Sequence, residues 1–300
     1  TGLRASTALA GIRIALEESF GVSKAAPAWL YPWAYALDIA PQRAPLQPRF
    51  LTASRNLVLP APGEFSAAGR VSCIIGPENA STLLYGLLSA VSPANPAAGV
   101  YEHTFGVGST QPSYEMQTER HYHETWEHGG VINGALFSIS RSSLLRVDLD
   151  MRFCEQIALT AGTMPGTLLY STLLPFADTS GILERDDGTV TDIEGFSLRL
   201  SCNPQFFKPG GSGLVSDAVP GKHDVGWDIV FALANSTELR RFLGDSSGID
   251  QQGISATYQT VNVEWDFRSG QDFVAGYPYS LKFTAYGMLY VSFPQPLSSD

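Results

Sequence analysis

From Arg146 to Phe153 the sequence alternates without a break: Val147, Leu149, Met151 and Phe153 are apolar, and Arg146, Asp148, Asp150 and Arg152 are charged. Successive side chains of an extended chain point to opposite faces. Only a β-strand with one face on a core and the other toward solvent or a neighbouring subunit satisfies both sets. The same period recurs along the chain. Ile12, Ile14 and Leu16 alternate with Arg13 and Glu17, which belong to a more polar surface, and Tyr114, Met116, Thr118 and Tyr122 share a face. Phe196, Leu198 and Leu200 form another stripe. Val261, Val263, Trp265 and Phe267 alternate with Thr260, Asn262, Glu264 and Asp266. Ala135–Ser140 and Leu281–Phe293 read as further strands, so a mainly β fold is expected.

Two stretches combine a strand with a helix. Val71–Leu88 and Gly226–Leu243 each lead from apolar residues through an Asn/Ser/Thr cluster into a leucine-rich helix. Aligned on one another they share Ile74/Ile229, Ser81/Ser236, Thr82/Thr237, Leu84/Leu239 and Leu88/Leu243. Asn79 with Ser81 and Asn235 with Thr237 have glycosylation spacing, but they are expected to cap the two helices, their side-chain oxygens accepting orphan N–H bonds. The apolar residues of these helices are core stripes. The halves therefore read as copies of one unit. Residues 1–155 form a first domain, 156–191 a bridge with a hairpin through Asp186-Asp187-Gly188, and 192–300 a second domain. Residues 22–68, rich in proline, are expected to be a long irregular excursion, and Ser92–Gly99 a second loop.

Three hundred residues with 44% apolar content suffice for two cores. A net charge of −10 argues against a surface that neutralises phosphates. Cys73, Cys154 and Cys202 are odd in number and far apart, which reads as buried free thiols. No apolar run approaches the roughly 18 residues of a membrane span, and the first residues lack a signal-peptide pattern, so cytosolic synthesis of a soluble protein is expected.

The densest set of potential ligands is His121-Tyr122-His123-Glu124-Thr125-Trp126-Glu127-His128. The spacing of His121, His123, Glu127 and Gly134 resembles the latter part of the first metal-binding motif of the cupin family, which implies a divalent metal open to oxygen chemistry. However, Glu115 stands where that motif has glycine, and the second histidine motif is missing; a polar edge strand is the other reading. Lys208–Gly213 has glycines but no Gly-Lys-Ser/Thr, so it is a loop and not a phosphate cradle. Asp148 and Asp150 are flanked by arginines, which makes a self-neutralising strand face a better account than a catalytic pair. No catalytic, cofactor-binding or metal residue is assigned.

The order of these signals is itself a pattern. Asp192–Leu200, the glycine-rich loop to Pro220-Gly221-Lys222-His223-Asp224-Val225, the strand 226–233 and the helix 236–243 resemble the second half of tail tube proteins of long-tailed bacteriophages. The first half is similar: Glu17-Glu18-Ser19-Phe20-Gly21, the loop to Gly69-Arg70, strand, helix, then Tyr101-Glu102-His103-Thr104-Phe105 and two long strands ending near Phe153. The resemblance implies a structural virion protein made in the bacterial host cytoplasm, with two tandem β-sandwich domains, each flanked by one short α-helix. Their strands would join an inter-subunit β-barrel, and a long loop would reach the next ring. It implies homotrimeric rings of pseudo-sixfold symmetry, other tail proteins at the tube ends, DNA passing through the lumen without specific binding, and no membrane partner. Arg146, Asp148, Asp150 and Arg152, with Asn262, Glu264 and Asp266, are expected to be lumen or inter-subunit residues. A tail terminator or head decoration protein is the other virion component that the pattern allows.

Overall fold

The computed structural model describes residues 9–46, 61–120, 123–159, 172–177, 182–185, 188–190, 193–209, 214–231 and 260–289. The fold is mainly β. In chain order the elements are β1 (Leu9–Leu16), β2 (Trp33–Leu46), β3 (Ala61–Ile74), α1 (Pro77–Leu88), β4 (Ser89–Ala97), β5 (Val100–Val107), β6 (Tyr114–Arg120), β7 (His123–Ser140), β8 (Arg146–Phe153) and β9 (Glu155–Leu159). They continue with β10 (Ile182–Arg185), β11 (Gly188–Val190), β12 (Ile193–Ser201), β13 (Gln205–Phe207), β14 (Asp217–Val219), β15 (Asp224–Phe231), β16 (Thr260–Val274) and β17 (Tyr277–Leu289).

The principal sheet runs β2-β3-β8-β7-β12-β15, every neighbour antiparallel. Its long strand β7 belongs to two layers. Residues up to Gly130 pair with β6 and β9, and β6 pairs in turn with β1; from Val131 onward the strand joins β8 and β12. The changeover falls at Gly129-Gly130. Gly129 has φ +60°, and a Cβ there would lie 2.3 Å from Cys154 Sγ, while one on Gly130 would lie 2.2 Å from the Phe153 ring. Only glycine lets the strand cross that close to its neighbours.

A separate sheet, β11-β10-β16-β17, packs its apolar face on the first. The contact is aromatic. Phe196 lies 4.2 Å from Trp265 between ring centroids and Phe137 lies 5.2 Å from Phe283 across the two sheets, while within β16 Trp265 stacks on Phe267 at 5.2 Å. The alternation in Arg146–Phe153 and Val263–Phe267 holds as expected: the apolar members are buried and the polar ones face outward. Ile12, Ile14, Phe196, Leu198 and Leu200 are likewise buried. One cluster of buried residues draws from both halves of the chain. The expected hairpin is present, Leu183 of β10 lying opposite Val190 of β11; Asp186 and Asp187 lie outside the described residues.

Four expectations change. The excursion 22–68 is irregular only in part, because Trp33–Leu46 and Ala61–Ile74 form the hairpin pair β2·β3. Its prolines survive in strands because of where the strands lie. Pro41 and Pro45 sit on an edge strand, and Pro62 lies beyond Ala67, where β3 has lost β8 as a second neighbour, so no missing N–H breaks a central ladder. By the same logic Ser92–Ala97 is strand and not loop, since β4 pairs only with β5 and Pro93 faces a two-stranded ribbon. The helix begins earlier than its Asn/Ser/Thr cluster: Gly76 is the N-cap and Pro77 opens α1. Asn79, in the third helical position, accepts from Gly76 N–H through Oδ1 at 2.9 Å and donates to the Ile74 carbonyl. Finally, Glu17 is buried.

The alignment of Val71 with Gly226 also puts unlike faces together. Ile74 lies opposite Arg146, on the charged face, whereas its partner Ile229 packs against the core. A shift of one residue inverts a strand, so matching by face would pair Val71 with Trp227 and Cys73 with Ile229. The expected helix 236–243, Tyr122 and the end of the strand to Phe293 lie outside the described residues.

All three cysteines are buried and free. Burial, with the nearby Asp148 charge, pushes the Cys73 thiol up to about 12. Burial, followed by Glu17, pushes Cys154 to about 12, and burial alone raises Cys202 to about 11. Raised values leave the unreactive thiol form dominant at pH 8. A thiol-reactive chromophore at that pH is expected to label none of them in the native protein and all three in denaturant; rapid native labelling would contradict these environments.

Candidate functional site

The described surface that carries a pattern is the outer face of the principal sheet, opposite the core. Three rows of directly opposed residues cross it. One runs Asp38, Arg70, Asp150, Gly134, Ser201 and Asp224; the next Ala36, Ser72, Asp148, Leu136, Arg199 and Gly226; the third passes Arg146, Ser138, Ser197 and Asp228. Opposite signs lie side by side. Arg70 Nη1 is 4.0 Å from Asp148 Oδ2, Tyr35 Oη donates to Asp148 Oδ1 at 3.4 Å, and the Arg146 guanidinium lies 5.5 Å from the Tyr35 ring centre. Partial burial, then the Asp148 charge, raises the Tyr35 hydroxyl above its ordinary value. Asn133 donates to Asp150 at 2.7 Å. Arg152 bonds Glu64 at 2.8 Å while lying 4.3 Å from the centre of the Phe206 ring. The result is a largely polar face on which Asp148, Asp150, Arg70 and Arg152 each have a neighbouring partner. Exposed pairs of this kind are worth about 0–1 kcal/mol each, so they decide what the face tolerates more than how stable the fold is.

Asn262, Glu264 and Asp266 are not on this face. They lie on β16, whose Val263, Trp265 and Phe267 point at the core from the other side, so their side chains look outward from the opposite surface of the sandwich. There Lys282 Nζ lies 2.6 Å from Glu264, Arg268 Nη2 lies 3.0 Å from Asp266, and Asn262 Oδ1 accepts from Gly287 N–H. The hydrogen bond to Glu264 holds the Lys282 ammonium above its ordinary value. Two surfaces, not one, carry the seven polar positions.

The histidine-rich stretch takes a different form from a ligand strand. β6 ends at Arg120, which pairs with His123 at the start of β7, so the chain reverses between them. His121 and the side chain of His123 lie outside the described residues. Glu127 is buried and accepts from Thr125 Oγ1 at 2.6 Å and Gln156 Nε2 at 2.9 Å. Among the described residues no group of three His, Cys, Asp or Glu side chains is placed to hold a metal.

What reading the sequence missed is a buried polar layer on the second face of β6. Glu115 and Gln117 are buried there as fully as Tyr114 and Met116. Ser23 Oγ and Trp126 Nε1 donate to Glu115 Oε2, at 2.8 and 3.1 Å. Glu17 accepts Gly21 N–H and Gly129 N–H, both at 2.8 Å, and lies 3.6 Å from His128 Nδ1. Arg13 bonds Gln117 and lies over the Trp29 ring at 4.3 Å. The alternation in β6 reads as a half-exposed strand; no local signal says that the segment from Glu17 to Trp29 folds back over it.

The sheet edges complete the picture. Among the described strands β2 pairs only with β3 and β15 only with β12, so the principal sheet ends on both sides in single-partner strands. Among the described residues no helix is long and apolar enough to cross a membrane. Faces and edges of sheets, in a two-layer β fold, define a structural building block. A family model described as phage tail tube protein matches residues 7–280, and the chain belongs to that family. It is therefore a structural component of a virion tail. No curated protein matches the chain.

Proposed function

We propose that the chain assembles with copies of itself into rings that stack as the tail tube, the channel through which the genome leaves the virion. The observation that carries this is the principal sheet, with a largely polar outer face and, among the described strands, an edge strand on each side. Edge strands are normally an aggregation hazard, and a polymerising protein can use them as joints. The face of Arg146, Asp148, Asp150 and Arg152 is the one that joined sheets would present as a continuous lining. An acidic chain in which Arg70 and Arg152 of this face lie beside carboxylates gives DNA phosphates little to hold, so DNA passes without specific binding. Asn262, Glu264 and Asp266, on the far side of the sandwich, are then outer or ring-to-ring residues.

The duplicated, two-unit form of the family fits the pairing order. β1-β6-β7 in the first half has the same neighbours as β10-β16-β17 in the second, and β2·β3 has its counterpart in β12·β15. Two units per chain favour rings of three with pseudo-sixfold symmetry, closed at the tube ends by other tail proteins. Negative-stain electron microscopy of the purified protein at rising concentration is expected to show hollow tubes or stacked rings. Discrete small oligomers at all concentrations, carrying about one metal per chain, would overturn the reading in favour of a metal site.

A further inference from the structure

Resting on the self-assembly that the tube reading requires, we infer that the β4·β5 ribbon of one chain docks on an aromatic cleft at the N-terminal end of α1 in a second copy. Pro93 and His103 of the ribbon then meet Tyr31, Trp33 and Glu78 of the cleft.

The ribbon stands away from the body of the fold. β4 and β5 pair with one another and, among the described strands, with no other. Every residue from Val91 to Pro96 is exposed, and Tyr101 and Val107 are 67% and 63% exposed. A two-stranded ribbon is marginally stable in water until one face is covered. Its two faces differ. Val91 lies opposite Phe105 and Pro93 opposite His103, so these four share a face, and Tyr101 follows on the same side. Ser92, Ala94, Glu102 and Thr104 take the other face. Phe105, at the base, packs against the chain's own core, which leaves Val91, Pro93, His103 and Tyr101 presented outward. Between Ser89 and Val107 there is no lysine or arginine and a single carboxylate, so this is an apolar patch on an acidic protein. Patches of that kind mark contacts.

The cleft has the complementary chemistry. It is lined by Leu30, Tyr31, Trp33, Gly76, Glu78 and Asn79. Aromatic walls suit a proline ring, as in grooves that hold proline-rich segments. The helix end is poorly suited to an anion, because Asn79 already takes the Gly76 N–H and Glu78 stands exposed in the first turn. A hydrogen-bond donor beside the proline fits there, and His103 is the residue directly opposite Pro93. Geometry makes the occupant a second copy. Cleft and ribbon lie at opposite ends of α1, a helix of 12 residues and therefore about 18 Å long, and the exposed ribbon does not lie on its own chain's cleft. Unlike surfaces at opposite ends of one element give a head-to-tail contact that repeats from copy to copy.

Cysteine cross-linking of the full chain under assembling conditions tests the docking, since the three native thiols are buried. Chains carrying His103→Cys, mixed with chains carrying Glu78→Cys and oxidised, are expected to form a disulfide dimer well above the level that either gives alone. Thr104→Cys, on the other face of the ribbon, should link to Glu78→Cys about tenfold less. Independently, Pro93→Asp should raise the concentration at which assemblies form by about tenfold, with an unchanged urea midpoint, while Ser92→Asp changes it by less than about twofold. Rings or tubes in which the His103 and Glu78 positions stay unlinked and Pro93→Asp assembles like the parent would sink the docking and leave the tube reading standing. Efficient linking in a protein that forms no rings at any concentration would sink the tube reading and leave the docking.

Discussion

Replacing Glu17 with alanine is expected to destabilise the folded chain by about 3–5 kcal/mol, because the change strands two backbone donors and an imidazole beneath the 17–32 segment. The carboxylate accepts Gly21 N–H from one oxygen's side and Gly129 N–H from the other's, and lies 3.6 Å from His128. Gly129 is also where β7 passes from one layer to the other, so the lost acceptor loosens a covering segment and a strand crossover together. Glu17→Gln keeps an acceptor oxygen for one amide and should fall between alanine and the parent. Glu18→Ala, at an exposed neighbour, should stay within about 0.5 kcal/mol. Urea denaturation with unchanged slope gives the comparison. Equal midpoints for the Glu17 and Glu18 alanine variants would remove Glu17 from its anchoring role.

Phe267→Ala is expected to cost a similar amount, about 3–5 kcal/mol, through a cavity at the joint between the two sheets. Phe267 is fully buried, stacked on Trp265, and within aromatic contact distance of Phe196 at 6.1 Å and Phe283 at 6.2 Å. It therefore touches strands from both layers. Near-ultraviolet circular dichroism should lose intensity as Trp265 loses its neighbour, while Tyr286→Ala, at a position 79% exposed, should change little. A Phe267 variant as stable as the parent would mean that the second sheet is held elsewhere.

Strand faces were the most legible feature of the sequence, because a period of two is a local signal. Arg146–Phe153 and Val263–Phe267 could be assigned face by face from their letters alone. Prolines misled, since their effect depends on whether a strand has one neighbour or two, and Pro41 or Pro93 carries no mark of its own edge position. Glu17 misled for the opposite reason. Its place after an alternating strand suggests solvent, and only the return of the chain over β6 buries it. The candidate face was legible as a charged ladder, but the assignment of Asn262, Glu264 and Asp266 to the same role hid a division: two strands that pack core to core turn their polar sides in opposite directions. Family membership came through the order of elements, a signal that survives where single residues do not.

The strand count of the principal sheet has a consequence for the polymer. β2 and β15 are separated by four strands that reverse direction at every step, so they run in opposite senses. A copy added at either edge with alternation preserved must then stand the same way up as the one beside it. An odd number of strands would turn every second copy upside down. A tube built by joining copies at those two edges would accordingly be a polar object, with two chemically different mouths, and a protein that closes one of them would find no equivalent surface at the other.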